Sequence, residues 1–149
     1  MSHVTTIDLK ISDLNALAKA CERLGLELKL GQKNFKWYGQ YMGDYRENIG
    51  VRPADYGKCD HAIAVKNAAK NTYEIGVIRE GDSFKLAWDF WHGGYGLVEK
   101  ISYAGATGKD ANKLRDWYAA EVAARQMRKQ GFSVKAKQLN GKVQVVCSK

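Results

Sequence analysis

Residues 7–30 change hydrophobic period twice, and that change limits the folds open to this chain. Ile7, Leu9 and Ile11 alternate with Asp8 and Lys10, the pattern of a half-buried strand. Leu14, Leu17, Ala18, Cys21 and Leu24 then fall at the i, i+3, i+4, i+7 spacing of an amphipathic helix. Leu26, Leu28 and Leu30 return to alternation with Glu27 and Lys29. Ser12 stands at the expected N-cap, and Gly25 stands where the chain must turn left-handed to leave the helix. A strand–helix–strand opening points away from all-α and all-β architectures.

Two hairpins extend this opening. Tyr73, Ile75 and Val77 alternate with Glu74 and Gly76, and Gly81-Asp82 supplies a two-residue turn. On the return strand Phe84, Leu86, Trp88 and Phe90 share one face, while Lys85, Ala87, Asp89 and Trp91 fall on the less buried one. Asn140-Gly141 is the second turn. It pairs Leu139 with Lys142, Lys137 with Gln144 and Lys135 with Val146, and puts Ala136–Val145 and Val134–Cys147 on the opposite, apolar face. His61–Val65 reads as a further strand.

Helices are expected near 13–24 and 111–130. The second is capped by Asp110 and stopped by Gly131. Trp117, Ala120, Ala124 and Met127 form its apolar flank, and Glu121 pairs with Arg125 one turn on along its exposed side. The expected fold is α+β: an antiparallel or mixed sheet with two principal helices, in one domain spanning 1–149. A chain of 149 residues is long enough to bury such a core.

Three cysteines, Cys21, Cys59 and Cys147, are too few and too scattered for a disulfide framework or a zinc site. Cys59 and His61 lie two apart, but no second ligand pair follows. No apolar stretch approaches the ~18 residues of a membrane span. The opening MSHVTTIDLK is read as neither a signal nor a transit peptide. The expectation is a protein of a reducing, cytoplasmic compartment with no cofactor and no membrane partner.

Charge is distributed unevenly. Of the net +8, residues 110–149 hold nine Lys or Arg against three Asp or Glu, and residues 1–109 hold fifteen against thirteen. A basic C-terminal third suits a polyanion. The expected partner is therefore nucleic acid or a nucleoprotein, met at phosphates by Arg125, Arg128 and Lys129 on the helix end and Lys135, Lys137 and Lys142 on the hairpin. Solubilisation and edge protection explain the same lysines without a ligand.

Two other stretches bear on function. In residues 31–60, Trp37, Tyr38, Tyr41 and Tyr45 interleave with Lys33, Lys36 and Arg46. The favoured reading is a long loop whose rings pack on the sheet; the alternative is a surface that stacks on bases. In WDFWHGGYG, residues 88–96, Asp89, Trp91 and His92 are the candidate recognition residues, with Asp89 and Trp91 expected to be partly exposed and His92 at the mouth of a small-ligand pocket. His3, His61 and His92 lie in separate segments, and no nucleophile–base pair or carboxylate pair stands out, so the expectation is a non-catalytic binder. A protein–protein adaptor or host-directed inhibitor is the alternative.

The start MSHVTTIDLKISDLNALAKACERLGL, the segment TYEIGVIREGDSFKLAWDFW and the helix end YAAEVAARQMRKQGF, in that order, resemble the hypothetical chloroplast reading frame thirty-five family, an uncharacterised group of plastids, cyanobacteria, other bacteria and phages. The resemblance implies no catalytic residues or cofactor. It implies an accessory role beside an AAA-type ATPase, and adds the plastid stroma as a second expected location.

Overall fold

A computed structural model describes residues 4–37, 57–103, 111–139 and 142–149. The elements follow in the order β1 (Val4–Ile11), α1 (Leu14–Arg23), β2 (Leu26–Leu30), β3 (His61–Val65), β4 (Ile75–Glu80), β5 (Ser83–Asp89), α2 (Val98–Ile101), α3 (Asn112–Lys129), β6 (Ser133–Leu139) and β7 (Lys142–Ser148). β1 to β5 form a five-stranded sheet in the order β1-β5-β4-β3-β2, antiparallel at every pairing, and β6 and β7 form a separate hairpin. The fold is α+β, with an antiparallel sheet and two principal helices.

α1 starts one residue later than its sequence suggests. Asp13, not Ser12, is the N-cap: its Oδ1 accepts from the Ala16 amide at 3.0 Å. The Ser12 and Asp13 amides instead donate to the Tyr118 hydroxyl of α3, at 3.1 and 3.2 Å. A tertiary acceptor has displaced a local one. α3 ends in a Schellman arrangement, with Gly131 at φ +91°, its amide on the Arg128 carbonyl and the Phe132 amide on that of Met127. At its start Ala111 occupies the cap position in a left-handed conformation and offers no side-chain acceptor. The expected cap Asp110 lies outside the described residues.

The sheet is covered on both faces. On one, Ile11, Leu26, Ile63, Ile75, Val77, Phe84, Leu86 and Trp88 pack under α1 and α3 with Leu17, Cys21, Leu114 and Trp117. Between Ile7 and Ile11 the register of β1 slips, four residues opposing two of β5. Because the slip is even, Ile11 still faces this core and is fully buried. On the other face Phe35 and Trp37 close over Ala62, Ala87 and Cys59. Gly76 permits this, since a Cβ there would collide with the Phe35 ring.

This second cover corrects the strand pattern read from β5. Its second face is not the exposed one: Ala87 and Asp89 are buried, and only Lys85 keeps partial access to solvent. The alternation fails because the covering rings come from a segment some fifty residues earlier in the chain.

α3 lies between α1 and the hairpin. Toward α1, Arg23 donates to Glu121 at 3.2 Å and lies over the Trp117 ring at 4.9 Å. Arg125 meets Asp13 at 3.1 Å. The expected exposed Glu121–Arg125 pair is therefore wrong. Glu121 is only 2% exposed, and each member takes a partner from α1 instead. Toward the hairpin, Ala136 and Val143 pack against the main core.

Candidate functional site

The hairpin carries the clearest functional geometry. Its register is the one the Asn-Gly turn demands, with Leu139 opposite Lys142, Lys137 opposite Gln144 and Lys135 opposite Val146. Val134, Ala136, Val143, Val145 and Cys147 form the half-buried inner face, whereas Lys135, Lys137, Lys142 and Gln144 are exposed on the outer one. Lys135 and Lys137 are two residues apart on one strand, about 7 Å, and Lys142 is the diagonal neighbour of Lys137. Nothing in the local sequence neutralises them, because residues 122–149 contain seven Lys or Arg and no Asp or Glu.

The helix end divides. Arg128 and Lys129 are exposed in the last turn of α3, just before the chain enters β6. Lys149, at the same base of the hairpin, lies over the Phe132 ring at 5.1 Å. Arg125 does not join them. Its guanidinium is held by Asp13, so α3's contact with α1 claims a cation that the sequence assigned to a ligand surface.

The turn after β5 differs more from expectation. Asp89 is fully buried, and its Oδ1 accepts from the Trp91 amide at 2.9 Å. The expected partial exposure of Asp89 is overturned; it is a brace between the strand end and the turn. Trp91 is half-buried, as expected, and His92 is exposed. His92, Gly93, Gly94, Tyr95 and Gly96 all have positive φ, at 49, 62, 65, 52 and 111°. For the two L-residues this costs about 1–2 kcal/mol each. The turn is anchored by the Tyr73 amide on the Gly94 carbonyl at 2.9 Å and by the Thr72 hydroxyl on the Tyr95 carbonyl at 2.8 Å. Sequence reading missed Tyr95 here; its spacing of three from His92, inside a glycine run, was the available signal.

No family model matches the chain, and no curated protein or solved structure matches it either.

The aromatic loop is structural where it is described. Phe35 and Trp37 are core residues, and Lys36 Nζ donates to the Lys70 carbonyl at 2.7 Å. Tyr38, Tyr41, Tyr45 and Arg46 lie outside the described residues. Glu74 is buried and accepts from Gln32 Nε2 at 3.0 Å and from the Lys36 amide at 2.9 Å, fixing this segment to β4.

Among the described residues no group of three or more His, Cys, Asp or Glu could hold a metal ion. His61 is occupied structurally, its Nδ1 accepting from the Gly31 amide at 2.9 Å. Cys21 and Cys59 are buried free thiols. Burial first, and the neighbouring carboxylates second, push both up to about 12, so neither is a ready nucleophile. His3 lies outside the described residues. No described helix is long and apolar enough to cross a membrane.

Proposed function

We propose that this protein is a non-catalytic binding protein that engages nucleic acid or a nucleoprotein through the outer face of the β6–β7 hairpin. One observation carries the reading: Lys135, Lys137 and Lys142 share an exposed face of a ribbon whose surrounding 28 residues hold no carboxylate. A face serving only to solubilise is satisfied by mixed signs. An unneutralised lysine face matches a row of phosphates and is worth most where counterions are released. Arg128 and Lys129 extend it at the base of the hairpin, and Arg125 is omitted.

We also propose kinship with the hypothetical chloroplast reading frame thirty-five family, on the three stretches that resemble it. The three stretches that carry the resemblance are β1 with α1, the β4–β5 hairpin, and the C-terminal half of α3. They are neighbours in space, since β5 pairs with both β1 and β4 and α1 packs on α3. An ancestral unit would be expected to show that contiguity.

The test compares the native chain with Lys135→Glu/Lys137→Glu/Lys142→Glu on a DNA duplex between 50 and 200 mM salt. The native chain should bind with steep salt dependence. The variant should bind more weakly, with its log–log slope reduced by about 0.9 for each phosphate that is no longer neutralised. Equal binding by both proteins at low salt would transfer the reading to a protein partner.

A further inference from the structure

We propose that the turn following β5 is a second binding element, a platform on which His92 and Tyr95 stack the bases of single-stranded nucleic acid. The class of ligand rests on the reading of the hairpin above; the platform itself rests on separate observations.

The first is where the strain lies. Five successive residues run left-handed, and the two that are not glycine are both exposed aromatic rings. Glycine at 92 and 95 would adopt the same backbone without penalty. The turn alone therefore does not account for the residues placed there. Strained conformations that persist against an easier alternative are good indicators of function.

The second is geometry. A left-handed turn brings side chains three residues apart to the same side. The His92 and Tyr95 rings stand 5.6 Å apart with their planes inclined at 35°. Trp91 meets His92 edge-on at 4.5 Å, and Tyr73 meets Tyr95 edge-on at 5.2 Å. The four rings form one ladder, with Tyr73 buried, Trp91 half-buried, and His92 and Tyr95 open to solvent. Five hydrogen bonds hold the backbone beneath them: Trp91 to Asp89, Gly93 to Phe90, Tyr95 to His92, Tyr73 to Gly94 and Thr72 to Tyr95. A rigid pair of exposed rings loses little freedom when a base settles on it.

The third is charge. Lys36 Nζ is fixed on the Lys70 carbonyl, and Lys70 lies two residues before Thr72, whose hydroxyl holds the Tyr95 carbonyl. Among the described residues no carboxylate lies within ion-pair distance of Lys36 or Lys70. Glu74 is buried and engaged, and the exposed Glu99 on α2 is followed in the sequence by Lys100. Cations carried on the segment that anchors the turn disfavour a cationic guest. They favour one whose flat rings alternate with phosphates, which is a single strand.

The experiment uses fluorescence anisotropy with a labelled 15-nucleotide oligothymidylate, an abasic strand of equal length, and a duplex. The native chain should prefer oligothymidylate to the abasic strand. His92→Gly/Tyr95→Gly should lose about tenfold or more of its oligothymidylate affinity, keep its abasic and duplex affinities, and melt at or above the native temperature. Tyr95→Asn, which tolerates the left-handed backbone, should reproduce the loss. Lys135→Glu/Lys137→Glu/Lys142→Glu should bind all three ligands more weakly while keeping the preference for bases. Equal native affinity for the oligothymidylate and abasic strands, or ring variants that bind as the native chain does, would overturn the platform and leave the hairpin untouched. Loss in the ring variants with none in the lysine variant would do the reverse.

Discussion

Two residues show how position alone decides a role. Asp89 is a carboxylate at the end of a strand, yet it is buried and spends an oxygen on the Trp91 amide. Asp89→Ala should cost about 1–3 kcal/mol by leaving that donor without an acceptor, measurable as a lower urea midpoint at constant slope. Gly76 sits in mid-strand, where glycine is ordinarily a weakness, but the Phe35 ring occupies the place of its Cβ. Gly76→Ala should cost about 1–3 kcal/mol through overpacking, and Phe35→Leu should recover part of it in a double-mutant cycle. The Gly76 contact could not be read from the sequence, because Phe35 lies some forty residues earlier, whereas the Asp89–Trp91 bond spans two residues and only the burial around it was hidden. The place of His92 at the start of a turn, in contrast, follows from the glycines after it, and was legible.

Among the elements, those set by local rules were legible and those set by tertiary competition were not. The hairpin register followed from Asn140-Gly141 alone, and the end of α3 followed from Gly131, since each is a backbone requirement met within a few residues. No atom lies within 4 Å of a Cβ built on Gly131, so Gly131→Ala should cost about 1 kcal/mol from conformation alone, and thermal unfolding would register it. The start of α1 and the pairing of Glu121 depart from the sequence pattern for one common reason: α3 supplies Tyr118 to the first and α1 supplies Arg23 to the second. Spacing along a single helix cannot reveal a partner on another. The same packing removed Arg125 from the basic surface, whereas the lysine face of the hairpin was fully legible because its inner face is defined by a period of two. Substituting its three lysines should change stability by no more than about 0.5 kcal/mol, which separates any binding defect from unfolding.

At the scale of the molecule, the buried thiols link the core to pH. An unfolded cysteine releases its proton near 9, whereas Cys21 and Cys59 hold theirs to about 12 in the fold. Between these values the folded chain binds more protons than the unfolded one, so stability falls as pH rises from about 9 toward 12, and below 9 these groups contribute no slope. Denaturant titrations at pH 8 and 10 should show the decline, and replacing both cysteines with alanine should flatten it. A thiol reagent should modify half-buried Cys147 first and reach the other two only on unfolding. The strand order also carries a consequence for the chain as it is made. Among the described strands β1 and β2 are the two outer ones, and β1 ends at Ile11 while its partner β5 begins at Ser83. At a synthesis rate of about 5–20 residues per second, the first strand waits roughly 4–14 s on the ribosome for its neighbour. During that interval its hydrogen-bonding edge is open to any other extended chain, and a holdase bound near the N-terminus would protect the nascent protein at its most exposed stage.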